Sequence, residues 1–321
     1  MLKCTKIILI AIIFVLFFPP IISAFQDVDK SQVYREQPLE VHLFISEIKL
    51  GDMIRNAQSQ GNSEKLKQLE EANYHLLMVT RNYEYFRTQN EALLQENWRE
   101  HLNWAAPSPD TPPFDKSPLG LLEHLHLFEE GGSQMRANIM VQSRQYSESE
   151  ARQHQALDES IKIMREVLRL VEQTSGMARH FTSQYRIYFE APIDYRAEST
   201  KNRVPINLVK YNSDGSPARN VYISILDADY EISPTAWASK RQEVLQERYP
   251  DLSDFILEEH QGDDYEFKAK YSYTYSWEGN PIKALVLVHK QGQQANLLVC
   301  LAMADSFDRS EFEKIIASYY H

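Results

Sequence analysis

The sequence predicts an α+β protein, in which an N-terminal antiparallel helical bundle or coiled-coil hairpin precedes an α/β/α sandwich with a mainly antiparallel sheet. Apolar residues recur every three or four positions in residues 36–181, which is typical of helices, and every second position from residue 185, which is typical of strands. A separate apolar run opens the chain. The expected domains are a signal peptide at 1–24, a helical domain at 25–181 and the sandwich at 182–321.

The start of the chain has the three parts of a Sec-type signal peptide. Lys3 and Lys6 precede an apolar run from Ile7 to Phe18, and small Ala24 follows two prolines at a suitable distance for cleavage. The run is short for a bilayer span, so we expect cleavage after Ala24 and a periplasmic or extracellular protein. The alternative is an uncleaved segment at residues 7–25 that tethers the chain to a membrane.

Composition limits the classes of function. The formal charge is −11 at pH 7, which repels nucleic acid and anionic lipid, so no nucleic-acid partner is expected. Cys4 lies before the apolar run and cannot be a lipoprotein acylation site. Cleavage leaves Cys300 as the last thiol, which excludes an intramolecular disulfide. Its apolar strand predicts a buried structural thiol, since nothing places His260 or His289 beside it as a base.

The helical half contains two long heptad-like seams. The first helix with a clear seam is expected from about Ser63 to Leu94, after a shorter one from about Pro38 to Asn56. A partner helix follows the capping pair Ser147 and Glu150. The two seams consist of residues spaced three and four apart: Leu69, Ala72, Leu76, Val79, Tyr83, Phe86, Asn90 and Leu93 in one, and Leu157, Ile161, Met164, Leu168 and Val171 in the other.

Between these helices, the sequence predicts a proline-rich loop and one more helix. Pro107 to Pro113 carries four prolines that no regular element crosses, and Ser117-Pro118 is a helix start. Gly131-Gly132 is expected to end that helix.

The second half begins with a hairpin and a capped helix. A strand at Val204 to Tyr211 leads through the turn Asn212 to Gly215 into a strand of alternating residues near Val221. Ser233 is placed to cap a helix that starts at Pro234, with Trp237, Val244 and Leu245 on its apolar side and Pro250 at its end.

Three further strands are expected near 265–277, 282–289 and 295–304, and the last two are apolar on both faces. A final helix from Ser310 to Tyr319, with Ser310 and Glu313 as a capping pair, would cover part of this sheet. Helices on both faces of an antiparallel sheet make an α/β/α sandwich.

The order of elements in residues 185–321 resembles the PsbP-like, DcrB-related fold. The resemblance rests on Tyr188-Phe189-Glu190-Ala191-Pro192, the Ser233-Pro234 helix, the strand Asp254 to Glu259 and the meander from Tyr271 to Met303. It implies a binding, assembly or chaperone protein without an active site or cofactor. The helical half is not part of that family pattern.

Several residues could hold chemistry, and each has a structural alternative. His124 and His126 lie two apart, so on one helix they point in different directions, which favours solvated or interhelical histidines over a metal site. Ser46 and Lys49 match Ser-x-x-Lys without its supporting motifs, which indicates chance.

An acidic stretch resembles the start of a calcium loop. Asp227, Asp229 and Glu231 alternate, but Ile232 and Ala238 occupy the positions that need Gly and a carboxylate. No metal is therefore expected. Weak, irregular calcium binding is the alternative, with further oxygens from Glu258, Glu259, Asp263, Asp264 and Glu266.

The candidate binding face is aromatic. Tyr271, Tyr273, Tyr275 and Trp277 share one face of a strand, and Trp237 lies on the helix expected to cover it. The favoured interpretation is core packing, and the alternative is a cleft for an apolar ligand or partner segment.

The sequence as a whole therefore predicts a non-enzymatic exported envelope protein, with no cofactor and no catalytic residue. It would act as an adaptor, chaperone or assembly factor for another exported or membrane protein. The alternatives are a periplasmic carrier of a hydrophobic ligand or lipid and an exported hydrolase. Membrane contact is expected only if residues 7–25 stay uncleaved.

Overall fold

A computed structural model describes residues 30–90, 116–142, 148–200 and 203–321, and the chain divides into two compact units at Val171/Glu172. The predicted α+β class is confirmed. The expected export signal, the proline-rich loop at 107–113 and Ser147 lie outside the described residues.

The first unit is an antiparallel arrangement of helices. Its helices are α1 (Lys30–Arg35), α2 (Leu39–Ser59), α3 (Ser63–Gln89), α4 (Leu121–Gln142) and α5 (Glu148–Ser175), whose last residues belong to the second unit. The predicted seam of α3 is its buried face, from Leu69 to Phe86. Asn62 caps α3 by accepting a hydrogen bond from the Lys65 backbone N–H at 3.0 Å. Within the described ranges, no helix is both long and apolar enough to cross a membrane.

Gly131-Gly132 does not end a helix, contrary to the prediction, because α4 continues through both residues. A Cβ on Gly131 would lie 2.6 Å from Leu39 Cδ2, and one on Gly132 would lie 3.3 Å from Ile161 Cγ1. The two glycines therefore allow α2 and α5 to approach α4 closely. That tertiary packing outweighs the weak helix propensity of glycine.

The helical region also ends earlier than residue 181. Gly176 adopts a φ of +73°, which ends α5, and the next residues form a strand from Met177 to Thr182. This strand pairs with the segment that follows it in a separate two-stranded sheet.

The second unit contains nine strands and two helices in the described residues. They are β1 (Met177–Thr182), β2 (Ile187–Pro192), β3 (Arg196–Ala197), β4 (Ile206–Tyr211), β5 (Pro217–Asp227), α6 (Pro234–Arg248), β6 (Ser253–Gly262), β7 (Glu266–Trp277), β8 (Asn280–Gln291), β9 (Gln294–Met303) and α7 (Arg309–Ala317). β3 to β9 form one antiparallel sheet in the order β3-β4-β5-β9-β8-β7-β6.

Each face of the large sheet has its own core. Phe312 and Ile315 of α7, together with Ile187 and Phe189 of β2, cover one face, while Trp237 and Leu245 of α6 lie in the core on the other. Because β9 lies in the middle of the sheet, its side chains contribute to both cores. The predicted strands apolar on both faces are therefore confirmed.

In the helices of the second unit, the predicted Ser233 cap is confirmed and two other predictions are wrong. Ser233 caps α6 as predicted, accepting from the Ala236 backbone N–H at 3.2 Å. The cap of α7 is Asp308, which accepts from the Glu311 backbone N–H at 3.1 Å, and not the predicted Ser310. Val244, expected on the apolar side of α6, is exposed because that side is covered only around Trp237 and Leu245.

Lys290 is a fully buried cation at the end of β8. Its Nζ donates to the backbone carbonyls of Tyr230 at 2.7 Å, Asp264 at 2.6 Å and Tyr265 at 2.9 Å. An ammonium group has three donors, and each has an acceptor here. Lys290 thereby joins the loop before α6 to the β6–β7 turn.

Candidate functional site

The predicted aromatic stripe lies almost entirely in the core beneath α6. Tyr271, Tyr273, Tyr275 and Trp237 are buried, whereas Trp277 is 54% exposed at the end of β7. The tyrosines stack along the strand with ring centroids 6.1 and 5.9 Å apart. Neighbouring rings cover them: Phe255 lies 5.2 Å from Tyr271 and Tyr249 lies 4.2 Å from Tyr275. Trp277 is thus the member of the stripe that reaches the surface.

The histidines of the helical unit converge in a buried polar row. His42 of α2 and His124 of α4 approach each other with their Nδ1 atoms 3.0 Å apart, and His124 Nε2 lies 2.8 Å from Ser117 Oγ. Backbone carbonyls of Arg35 and Gln37 accept hydrogen bonds from the His42 ring. This network favours the tautomers in which Ser117 donates to His124, and His124 donates to His42.

A serine hydroxyl hydrogen-bonded to a histidine, which is itself oriented by a second histidine, is the arrangement found around activated nucleophiles. Its surroundings oppose that role, because His124 is completely buried and Ser117 nearly so. Burial, together with the nearby charges of His42 and Lys49, lowers the pKa of His124 to about 3, which makes it a weak general base. The row instead joins α2, α4 and the segment before α4, so His124 is the interhelical histidine that the sequence predicted.

A buried ion pair lies next to this row. Arg35 Nε of α1 donates to Glu123 Oε1 of α4 at 2.8 Å, and both side chains are largely buried. Burial raises the pKa of the Glu123 carboxyl, while the charge of Arg35 acts in the opposite direction. His126 lies on the other side of α4 from His124 and is also buried, with its Nε2 3.5 Å from Glu130.

Ser46 and Lys49 lie near the row without forming a catalytic pair. Lys49 Nζ donates to the Ser117 carbonyl at 3.1 Å. Ser46 Oγ is buried, and it has no hydrogen-bond partner within the described part of the chain. The Ser-x-x-Lys spacing therefore brings no lysine to the serine hydroxyl.

The remaining candidates in the sheet unit have structural partners. Cys300 is buried in the core on the α7 face, and burial raises the pKa of its thiol. His289 Nε2 lies 3.3 Å from Glu266 Oε1, and exposed His260 pairs with Ala269 across the β6–β7 ladder. Among the described residues, no group of three or more His, Cys, Asp or Glu side chains is placed to hold a metal ion.

The acidic residues of the hypothetical calcium site are spread over separate ion pairs and turns. Asp227 pairs with Arg203 at 2.7 Å and Asp229 with Lys240 at 2.8 Å. Glu258 and Glu259 both lie near Lys270. Asp263 accepts from two backbone N–H groups in the β6–β7 turn.

A polar pocket of 250 Å³ occurs where the β1–β2 turn meets the β8–β9 turn. It is lined by Gln184, Tyr185, Arg186, Gln291, Gln294, Asn296 and His321. Several of these groups bond to one another: Gln294 donates to Asn296 at 2.8 Å, and Gln184 donates to the Tyr185 hydroxyl at 3.3 Å. We assign no ligand to this pocket.

A second cleft, here called the α2–α3 groove, combines apolar and acidic groups. Its volume is 170 Å³, and its lining residues are Glu40, Leu43, Phe44, Glu47, Thr80, Tyr83, Glu84 and Arg87. Phe44 lines this groove and is 52% exposed, whereas Leu43 is buried. Sequence reasoning missed this groove because it arises where two helices meet, and neither helix alone shows it.

Most of the polar groups in the α2–α3 groove are held by one another. Thr80 donates to Glu47 at 2.7 Å, the Tyr83 hydroxyl donates to Glu40 at 3.4 Å, and Arg87 pairs with Glu40 at 3.3 Å. The groove therefore carries the three carboxylates of Glu40, Glu47 and Glu84 but a single guanidinium, that of Arg87, which is already paired with Glu40. Burial raises the pKa of Tyr83, and the charge of Glu40 adds to this effect.

Comparison with solved structures returns, among its matches, a PsbP protein, the family that the element order of residues 185–321 resembles. The solution structure of cyanobacterial PsbP (CyanoP) from Synechocystis matches 45% of this chain and 92% of its own length, with 13% identity and a TM-score of 0.37. A protein from Bacteroides thetaiotaomicron matches 44% of this chain and 47% of its own, with 16% identity and a TM-score of 0.29.

LpqN, described as involved in cell envelope biogenesis of Mycobacterium tuberculosis, matches 44% of this chain and 84% of its own, with 15% identity and a TM-score of 0.28. No family model matches the sequence, and no curated protein gives a significant match. At these identities and TM-scores, the likeness does not extend to function.

Proposed function

We propose that this chain is a non-enzymatic exported adaptor or assembly protein that binds another exported or membrane protein through the α2–α3 groove. The observation that carries the proposal is exposed Phe44 beside a cleft with an acidic rim. The export signal predicted at residues 1–24 supports the location. The burial of Ser117 and His124 supports a structural role for the one nucleophile-like row described above.

The groove favours a partner segment with a particular chemistry. An apolar side chain in the groove can pack against Phe44, and Glu47 and Glu84 can accept hydrogen bonds from lysine or arginine residues on either side of it. We therefore infer that the partner presents a large apolar residue flanked by basic residues. Rim charges of this kind chiefly affect the association rate and make binding sensitive to salt.

The test is photo-crosslinking in intact cells, with a photoreactive amino acid in place of Phe44. We expect one reproducible protein adduct, identified by mass spectrometry, that is strongly reduced when Glu84→Lys is added, because reversal of an exposed rim charge repels a basic partner. Glu84→Gln should give an intermediate yield.

The matched control places the same photoreactive residue at Val244, which is also exposed on a helix but belongs to the sheet unit. The proposal is overturned if Phe44 yields no adduct, if Val244 yields the same one, or if Glu84→Lys leaves the yield unchanged.

A further inference from the structure

The side of α3 that faces away from its core carries a second seam, here called the outer stripe. Its members follow one another at alternating intervals of four and three residues: Lys67, Glu71, Tyr74, Met78, Arg81 and Tyr85. All six are exposed, and the apolar members are unusually so, at 62% for Tyr74, 38% for Met78 and 52% for Tyr85. Leu77, next to the stripe, is 52% exposed.

This stripe lies outside the core that the described residues form. At about 100° per residue, Tyr74 and Met78 point roughly opposite to the buried Leu76 and Tyr83. Large apolar residues clustered on an exposed helix face mark a surface for interaction with another molecule. The four-three spacing is the spacing with which two long helices pack side by side.

The charges of the outer stripe specify a partner. Acidic Glu71 precedes the apolar centre, and basic Arg81 follows it; Arg81 forms no ion pair within the described residues. If a second α3 runs antiparallel about a two-fold axis at the level of residue 76, Glu71 faces Arg81 of the second copy. In the same register Tyr74 faces Met78, and Lys67 faces the ring of Tyr85.

We propose that the outer stripe is a dimerisation surface, on which a second copy of this chain docks through its own α3 in antiparallel orientation. A parallel pair would place Glu71 against Glu71 and Arg81 against Arg81. The antiparallel pair makes every contact twice, as two-fold symmetric interfaces do. The inference is independent of the proposed partner, since that partner enters between α2 and α3 and the second copy covers the opposite-facing stripe.

The first test is sedimentation equilibrium of the purified full chain. We expect a dimer for the unaltered protein and a monomer for Met78→Glu, because this variant buries two carboxylates at the centre of the pair. The matched control is Met140→Glu on α4, where the methionine is 59% exposed, and this variant should remain dimeric. Circular dichroism should show unchanged helix content for both variants.

Charge exchange tests the register. Glu71→Arg and Arg81→Glu should each raise the dimer dissociation constant by roughly tenfold or more, because each puts like charges opposite one another at two places. The double variant E71R/R81E restores opposite charges in the antiparallel register and should recover most of the affinity. Loss of affinity that the double variant does not restore overturns this register.

Cysteine crosslinking tests the orientation. In the antiparallel pair, the two copies of residue 77 are separated along the helix by roughly 3 Å, whereas the two copies of residue 88 are roughly 36 Å apart. Leu77 lies on the flank of the outer stripe, so two Leu77→Cys residues should be joined by a short bismaleimide linker, whereas two Thr88→Cys residues, on the same flank, should be too far apart for it. Any of three results overturns the proposal: the unaltered chain is a monomer, the dimer is unaffected by Met78→Glu, or Thr88→Cys gives a crosslink. Because photo-crosslinking at Phe44 does not depend on dimerisation, the two proposals fail separately.

Discussion

Lys290 stabilises the sheet unit through groups that no sequence pattern connects. It lies at the end of an apolar strand, and its three acceptors come from Tyr230 before α6 and from Asp264 and Tyr265 in the β6–β7 turn. A buried ammonium group without acceptors would be very costly, so these carbonyls are essential to its burial. Removing the cation leaves three carbonyls without their donor.

We expect Lys290→Met to lower the free energy of unfolding by about 1–3 kcal/mol, because it leaves buried backbone carbonyls without their donor. The measurement is urea unfolding followed by tryptophan fluorescence, which reports on Trp237 in the core beside this region. Lys283→Met, an exposed position on the same strand, should change stability by about 0.5 kcal/mol or less. Equal effects of the two substitutions would contradict the role assigned to Lys290.

The buried histidine pair makes stability depend on pH. Burial lowers the pKa of His42 to about 4 and that of His124 to about 3, from the usual value near 6.5. The unfolded chain therefore binds protons at these sites below pH 6.5, while the folded chain stays neutral there. The contribution of the two neutral histidines to the unfolding free energy is therefore complete above pH 6.5, and it is lost as the pH falls toward 4.

We expect the unfolding free energy of the natural protein to fall between pH 6.5 and 4, with each histidine contributing up to about 1.4 kcal/mol per pH unit. His124→Gln should flatten this dependence, although it also lowers stability at neutral pH. His260→Gln, at an exposed position, should leave the slope unchanged. Urea unfolding at several pH values gives the slope, and an unchanged slope in His124→Gln would refute the explanation. His180 and His289, whose pKa values burial also lowers to about 4, contribute to the slope that remains.

At the scale of elements, the sequence predicted which helices and strands exist better than it predicted where each one begins and ends. A long seam such as Leu69 to Phe86 identifies its helix because many apolar residues in it follow the same spacing of three or four positions. Gly131-Gly132 was misjudged because its effect depends on Leu39 and Ile161, which lie far away in the sequence. The cap of α7 was misplaced by two residues because Asp308 and Ser310 can both accept from backbone N–H groups, and only the path of the chain decides between them.

The packing of α4 can be tested at Gly131. We expect Gly131→Val to lower the unfolding free energy by about 1–3 kcal/mol, since the new side chain must displace Leu39. The control is Gly51→Val in α2, where the nearest atom to an added Cβ belongs to the flexible Arg55 side chain at 3.5 Å. This control should be neutral or slightly stabilising, because valine has a higher helix propensity than glycine. Thermal unfolding of the two variants compares them directly, and a tolerated valine at position 131 would disprove close packing there.

At the scale of the whole molecule, the fold could be predicted from the order of the elements and the spacing of their apolar residues, but the candidate sites could not. The aromatic stripe was visible in sequence because Tyr271, Tyr273 and Tyr275 alternate, yet alternation alone does not distinguish core from binding face. The α2–α3 groove and the row of Ser117, His124 and His42 depend on contacts between helices that are distant in sequence. The outer stripe was detectable, since Tyr74, Met78, Arg81 and Tyr85 follow the same spacing as the core seam on the same helix.

The position of β9 in the sheet affects how the chain can fold as it is made. β9 is the last strand in sequence, yet it pairs with β5 on one side and β8 on the other. A chain that has been synthesised only to Gln291 holds β3–β5 and β6–β8 as two separate groups of strands, each with an edge that lacks its partner. Until β9 has emerged, those edges are open to pairing with other chains, which makes the incomplete chain prone to aggregation.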